Sequence, residues 1–208
     1  MINALQTIGA AKVIAIVRGI PLAQVANTVA ALSEGGIRCV EITMDSPDAL
    51  RAIENTKTKY GDRMLVGAGT VLDAETARHV ILAGADFALS PMLDLPMIEL
   101  CNRYGVLSVP GIFTPTEALA AWSAGAQLLK VYPASIGGPG YIRDLLGPLR
   151  QLRLLPVGGV HPNNAKDYLT AGAFAVGIGS SLVNSATIKR GDFAQLTSSS
   201  KALLKGIS

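Results

Sequence analysis

Cysteine and histidine are both scarce. The 208 residues hold only Cys39 and Cys101, far apart and outside any CxxC motif, which excludes a disulfide framework and a paired-thiol metal or redox motif. A reduced, cytoplasmic setting is the expectation. The only histidines are His79 and His161, with no HExxH or paired spacing, so no metal site and no cofactor are expected. Aromatics make up 5% of the chain and charged residues 16%. The basic residues are scattered without aromatic interleaving, which speaks against a nucleic-acid surface. No apolar run reaches the roughly 18 residues of a membrane span, and no basic stretch near Met1 leads into a long apolar one, so neither membrane insertion nor secretion is expected.

What is abundant is apolar side chains, at 50%, and glycine, with 22 residues, a combination that buries a large core between many tight turns. The net charge of +3 favours anionic small molecules over a polyanion. Eight apolar runs of strand length follow one another: 13–17, 39–42, 64–66, 87–89, 106–109, 128–134, 154–157 and 174–178. Between them lie helical patterns. A leading helix is predicted over 2–11, the next over 22–34 with Leu22, Val25, Val29 and Leu32 on one stripe, and others after Asp73, near Leu95, after Thr114, from Tyr141 to Leu149, from Pro162 to Ala171, and over 192–205. Ser46 is placed as an N-cap with Pro47 at the first helical position, and Thr114-Pro115-Thr116-Glu117 as a capping box. Strands that are apolar throughout are buried on both faces, the mark of a parallel sheet. Eight strand–helix units predict one (β/α)8 TIM barrel domain over residues 1–208, with an open doubly wound sheet as the alternative.

In a barrel of this kind, chemistry sits at the C-terminal ends of the strands. Two ionisable groups interrupt apolar runs there, Glu41 and Lys130, read as lying on neighbouring inner strands. Either alone could be half of a structural ion pair, and Lys130 could also lay its stem on apolar surface with its head in water; together they point to a reactive site. Arg18, Thr70 and Ser90 close other strands, and Tyr132 is placed beside Lys130 as a shield from water. The turns Gly158-Gly159 and Gly179-Ser180-Ser181 follow the last two strands, where barrels commonly bind phosphate through backbone N–H groups. Asp45 and Asp48 are assigned to capping and charge balance at a helix start, with Asp45 facing substrate as the alternative. His161 is assigned to a helix start near the phosphate turn, and Trp122 to helix packing.

These residues carry a resemblance over nearly the whole chain. Ile16-Val17-Arg18-Gly19, Val40-Glu41-Ile42-Thr43, Gly67-Ala68-Gly69-Thr70-Val71-Leu72, Pro110-Gly111 with Thr114-Pro115-Thr116-Glu117, Lys130-Val131-Tyr132-Pro133-Ala134 and Gly158-Gly159-Val160 resemble, in this order, the class I aldolases of 2-keto-3-deoxy-6-phosphogluconate, 2-keto-3-deoxy-6-phosphogalactonate and 4-hydroxy-2-oxoglutarate. The resemblance implies a Schiff-base lysine at Lys130, a proton-shuttling carboxyl at Glu41, and a pyruvate carboxylate held by Thr70 with Arg18 nearby. It implies phosphate at Gly158, Gly159, Gly179, Ser180 and Ser181, products pyruvate and glyceraldehyde 3-phosphate, no cofactor, and a homotrimer.

Three departures from the family pattern stand out. Asp45 lies near the position of a common arginine, which leaves Arg18 more of the carboxylate. Pro156-Val157-Gly158-Gly159 replaces a PTGG turn; Val157, with Ser46-Pro47 and Gly138-Pro139, resembles the phosphogalactonate branch. Thr114-Pro115-Thr116-Glu117 and Gly147-Pro148 resemble the phosphogluconate branch instead, which leaves the C4 epimer open with a slight lean toward galactonate. Ser90-Pro91-Met92 stands where Ser-Pro-Gly is usual; Pro91 keeps the pattern as a substrate-binding residue, and Met92 in place of glycine is expected to narrow the mouth. The alternatives are a 4-hydroxy-2-oxoglutarate aldolase, a phosphate-binding barrel of another chemistry such as an isomerase or synthase, and a non-catalytic phosphosugar-binding barrel.

Overall fold

The computed structural model describes residues 3–207, so residue 2 of the first predicted helix, and residues 1, 2 and 208 of the predicted domain, lie outside the described residues. The strands are β1 (Val13–Val17), β2 (Cys39–Thr43), β3 (Leu65–Gly69), β4 (Phe87–Leu89), β5 (Leu107–Val109), β6 (Gly111–Ile112), β7 (Leu129–Val131), β8 (Leu154–Pro156) and β9 (Val176–Ile178). The helices are α1 (Ala4–Ala11), α2 (Leu22–Glu34), α3 (Ala49–Tyr60), α4 (Ala74–Leu82), α5 (Leu95–Tyr104), α6 (Pro115–Ser123), α7 (Gly138–Leu146), α8 (Ala165–Thr170), α9 (Ser185–Lys189) and α10 (Phe193–Ile207).

All strand pairs are parallel. Six strands in the order β5-β4-β3-β2-β1-β9 curl into a half-barrel, and β6-β7-β8 form a second sheet. The consecutive order, with β9 returning beside β1, differs from the mid-sheet reversal of a doubly wound fold. Pro110 separates β5 from β6. It has no N–H to give, but its carbonyl accepts from Lys130 N at 2.9 Å. A single parallel bridge between Val157 and Gly177 links the far ends of the two sheets.

The period-two alternation of the strands sorts their side chains into two layers. Ile14, Ile16, Cys39, Leu65, Phe87, Leu89, Val109, Leu155 and Val157 form an inner cluster, and Ile8 of α1 joins it from below. Val13, Ala15, Val17, Val40, Ile42, Val66, Ala68, Leu129, Val131 and Ile178 face the helices. Gly67 is small because the Phe87 ring lies across it; a Cβ there would stand 2.1 Å from a ring carbon. Two consequences follow for the site. Glu41 and Lys130 share the parity of the inner cluster, and the turns that follow the strands gather at one end.

Local caps behave as their residues dictate. Asp73 accepts from Thr76 N at 2.6 Å, and Thr114 with Glu117 completes the capping box. Ser46 does not cap α3. That helix begins at Ala49 with Asp48 at the N-cap in left-handed backbone (φ 53°), and no side chain caps it. Ser46 Oγ instead accepts from Gly19 N at 2.8 Å and bonds Thr43 Oγ1 at 3.0 Å. α7 starts at Gly138, earlier than Tyr141, because Pro139 is tolerated in a first turn. α8 starts at Ala165, later than Pro162, after Asn164 Oδ1 accepts from His161 N at 2.8 Å and closes a turn. The short α9, capped by Asn184, has no counterpart among the predicted helices.

Candidate active site

Lys130 projects from β7 and is 3% exposed; Glu41 projects from β2 and is fully buried. β2 pairs with β1 and β3, and β7 with β6 and β8, so the two are not on neighbouring strands as the sequence reading had them. They interact across the interior instead. Burial, the largest influence, holds the Lys130 amine below its usual pKa, and the Arg18 charge adds to this while Glu41 opposes it. Burial likewise pushes the Glu41 carboxyl up, with Asp45 adding to the rise while Lys130 and Arg18 oppose it.

Neither carboxyl oxygen of Glu41 has a hydrogen-bond partner among the described residues. The space for the group comes from Gly69 at the end of β3, where a Cβ would stand 1.6 Å from Oε1. A buried acceptor without a donor is costly. A carboxyl kept in that condition is suited to exchange protons with a ligand.

Arg18 follows β1. Its Nη1 donates to Asp45 Oδ2 at 2.6 Å and its Nη2 to Thr70 Oγ1 at 3.1 Å. Thr70 adopts φ 58°, a conformation that β-branched residues rarely take. The strain sits beside the charged cluster, and Val71 N anchors the segment by donating to Leu89 O at 3.0 Å. The Tyr132 ring lies with its centroid 5.0 Å from Lys130 Nζ, in the shielding position, while the residue as a whole stays 41% exposed.

A cavity of about 430 Å³ opens beside this cluster. It is lined by Arg18, Tyr132, Val157, Gly158, Gly159, Gly179, Ser180 and Ser181, all predicted, and by Ile16, Val160, His161, Val183 and Ser185. Of the last five, the sequence places only His161 nearby; Val160, Val183 and Ser185 follow the two glycine turns, and that position was the available signal, whereas Ile16 comes from β1 and meets the Gly179 turn only through the fold. Gly158 and Gly159 have φ of 88° and 78°, and each packs so closely against the β7 turn that a Cβ would lie 3.2 Å from Tyr132 or 2.5 Å from Ser135. Ser181 Oγ donates to Val160 O at 3.1 Å, tying the two turns together.

Pro91 is not among the cavity's lining residues. It is half-buried, with its carbonyl packed against Gly111, and the neighbouring Ser90 Oγ donates to Met92 O at 2.5 Å. His79 lies on α4, away from the strand ends, and Trp122 lies on α6 half-buried with Arg153 over its ring. A larger cavity, about 690 Å³, lies at the opposite end of the strands around Lys57, Asp86 and Asn102. Glu41, Lys130 and Thr70 line neither cavity, but the smaller one is lined by Arg18, which bonds Thr70, and by Tyr132, whose ring lies against Lys130. Among the described residues, no three His, Cys, Asp or Glu side chains group as a metal site would need, and no helix is long and apolar enough to cross a membrane. Cys39 and Cys101 are free and buried, with thiol pKa values pushed up to about 12 and about 11, so both stay protonated.

Comparisons with known proteins bear on the family and the fold. The family model for KDPG and KHG aldolase matches residues 4–199. A probable 2-dehydro-3-deoxy-6-phosphogalactonate aldolase of Rhizobium meliloti is 40% identical over 170 residues, 81% of this chain and 80% of that one. The crystal structure of KDPG aldolase from Legionella pneumophila, with pyruvate captured as a covalent carbinolamine, superposes with TM-score 0.91 at 28% identity, covering 97% and 98% of the two chains. A cube-shaped cage designed by fusing symmetric oligomeric domains contains a chain that is 34% identical, with TM-score 0.88, over 94% of this chain and 71% of that one. Taken with the parallel half-barrel and its buried amine, these define an aldolase, a lyase that cleaves a carbon–carbon bond. The chain belongs to the KDPG and KHG aldolase family.

Proposed function

We propose that Lys130 is the Schiff-base nucleophile and Glu41 the proton shuttle of an aldolase that cleaves a 2-keto-3-deoxy-6-phospho-aldonate to pyruvate and glyceraldehyde 3-phosphate. The observation that carries this reading is Lys130, almost wholly buried, its amine shifted toward the neutral form and facing a buried carboxyl free of other partners. A neutral Nζ adds to the C2 carbonyl, and loss of water from the carbinolamine leaves an iminium. The Glu41 carboxylate takes the C4 hydroxyl proton, the C3–C4 bond breaks, and its electron pair moves into the iminium to form an enamine. Glyceraldehyde 3-phosphate departs as the aldehyde. Protonation of C3 by the Glu41 carboxyl and hydrolysis of the imine then release pyruvate and restore Lys130.

Arg18 and Thr70 take the substrate carboxylate in this reading. The phosphate is read as lying in the cavity that Gly158-Gly159 and Gly179-Ser180-Ser181 line, held by the backbone N–H groups of these turns and the Ser180 hydroxyl. Val157 borders the same cavity, and the phosphogalactonate is read as the preferred C4 epimer. The two sheets are read as arcs of one eight-stranded barrel formed by a single domain, supported by β9 beside β1, the Val157–Gly177 bridge and the continuity of β5 and β6 through Pro110. A homotrimer in the cytoplasm completes the proposal. The similarity to a symmetric oligomeric domain supports the assembly, and the two reduced thiols fit the compartment.

The test is borohydride reduction in the presence of pyruvate. A pyruvyl adduct on Lys130, lost together with activity in Lys130→Ala, is expected. An unlabelled protein, or a fully active Lys130→Ala variant, would overturn the proposal. A coupled assay with both C4 epimers and their unphosphorylated analogues fixes the substrate.

A further inference from the structure

The turns after β1 and β2 are clasped at two points. Gly19 N donates to Ser46 Oγ, and Arg18 Nη1 donates to Asp45 Oδ2 at 2.6 Å. Arg18 and Asp45 expose 53% and 44% of their side chains, so solvent alone would leave the guanidinium free to sample many rotamers. It is held instead, by Asp45 through Nη1 and by Thr70 through Nη2. Two of its five N–H donors are then engaged, and the others remain for a ligand. The same guanidinium acts electrostatically on both Lys130 and Glu41, so its charge is felt by the reacting pair.

From this geometry we infer that Asp45 is a positioning residue of the active site: it fixes the Arg18 guanidinium beside Thr70 so that the remaining N–H groups meet the substrate carboxylate. The inference rests on the proposed role of Arg18. Asp45 touches no reacting atom. It acts through Arg18, and its negative charge bears on Glu41, whose other charged neighbours are Lys130 and Arg18. Two effects separate this role from a merely structural one. Loss of the clasp weakens binding even of pyruvate, which carries no phosphate, so the effect is seen apart from the cavity assigned to the phosphate, which Arg18 also lines. Loss of the negative charge also lowers the proton affinity of Glu41, because Asp45 raises it.

The test compares wild type, Asp45→Ala and Asp45→Asn by pyruvate-dependent borohydride trapping and by steady-state kinetics on phosphorylated and unphosphorylated substrates. Folding of each variant is checked by thermal melting. Asp45→Ala is expected to raise the half-saturating pyruvate concentration and KM about tenfold, while kcat falls less than about threefold. The loss should appear with pyruvate and with the unphosphorylated substrate as well as with the phosphorylated one. Asp45→Asn, which keeps an acceptor for Nη1, is expected to stay within about threefold of wild type in KM. In both variants the limb of the kcat/KM profile set by Glu41 moves to lower pH. A KM within twofold of wild type in Asp45→Ala, or a lower KM as for a residue that competes with substrate for Arg18, overturns the inference, as does an unmoved limb. Wild-type protein that fails to trap pyruvate would instead overturn the Schiff-base proposal itself.

Discussion

Replacing Lys130 by methionine should make the stability of the protein depend on pH in a way that wild type does not. In the unfolded chain near neutrality, Glu41 and Lys130 hold one proton between them, on the lysine. In the folded site the two shifts run in opposite directions, Lys130 toward losing a proton and Glu41 toward gaining one, so they offset each other in net proton uptake and the pair contributes little slope. Methionine fills similar space without a charge. It leaves Glu41 as a buried carboxyl whose pKa burial raises, with Asp45 adding to the rise, only Arg18 opposing it, and the lowering influence of Lys130 removed. A carboxyl raised in the folded state contributes stability that is fully present below its unfolded pKa of about 4.3 and lost as pH rises through the folded pKa. The slope is at most about 1.36 kcal/mol per pH unit for one proton, so between pH 5 and 7 the variant loses up to about 2.7 kcal/mol relative to wild type. At roughly 2–4 °C per kcal/mol for a chain of this size, that is about 5–10 °C in Tm. Urea or thermal unfolding at pH 5, 6 and 7 measures it, and subtracting wild type removes every other titrating group. The double variant Glu41→Gln/Lys130→Met should lose the extra slope. Equal slopes in wild type and Lys130→Met would refute the reasoning, because they would mean that Glu41 ionises at its ordinary pKa in the fold.

Three other variants probe the surroundings of the pair. Gly69→Ala places a Cβ 1.6 Å from Glu41 Oε1 and forces the carboxyl aside, so kcat should fall by about 100-fold or more in a protein that still melts cooperatively; near-normal turnover would show that Glu41 need not occupy that hole. Gly159→Ala, at φ 78° and 2.5 Å from Ser135 Cβ, should cost about 1–3 kcal/mol and raise KM for phosphorylated substrate alone, a selectivity that kinetics with an unphosphorylated analogue checks. Asp86→Ala removes the 2.6 Å contact with Lys57 and an acceptor for Val66 N at the opposite end of the strands, and denaturant titration should show a loss of about 2–3 kcal/mol with kcat unchanged.

What could be read from the sequence divides along a physical line. Strands that are apolar at every position announce a parallel sheet, because only burial on both faces produces them, and all eight predicted runs overlap observed strands, with only the two-residue β6 outside them. Helix starts at Asp73 and Thr114 are decided within four residues, so they too are local facts. Ser46 had the right residue type for a cap, yet its hydroxyl serves Gly19, 27 positions away. The same separation hid the ion pair between Arg18 and Asp45, where local reasoning had assigned Asp45 to balancing a helix start. Glu41 and Lys130 were recognisable as costly interruptions of apolar runs. That they face each other from separate sheets depends on how the sheets curl, which no window of sequence contains.

Gly69 shows why the partners are harder to read than the reactive groups. The register that pairs Thr43 with Gly69 and Glu41 with Gly67 sets Glu41 diagonally against Gly69, and the missing Cβ is what admits the carboxyl. In the sequence Gly69 is one glycine among 22, part of a motif but with no stated purpose. A charged side chain in an apolar strand signals itself by its cost, whereas whatever lowers that cost can be an atom that is absent or a bond made by a distant turn. The reactive pair is therefore visible from one strand at a time. The clasp of Arg18 and the hole at Gly69 exist only once the strands are in register, and substitution at Gly69 should be as damaging to turnover as loss of the carboxyl it accommodates.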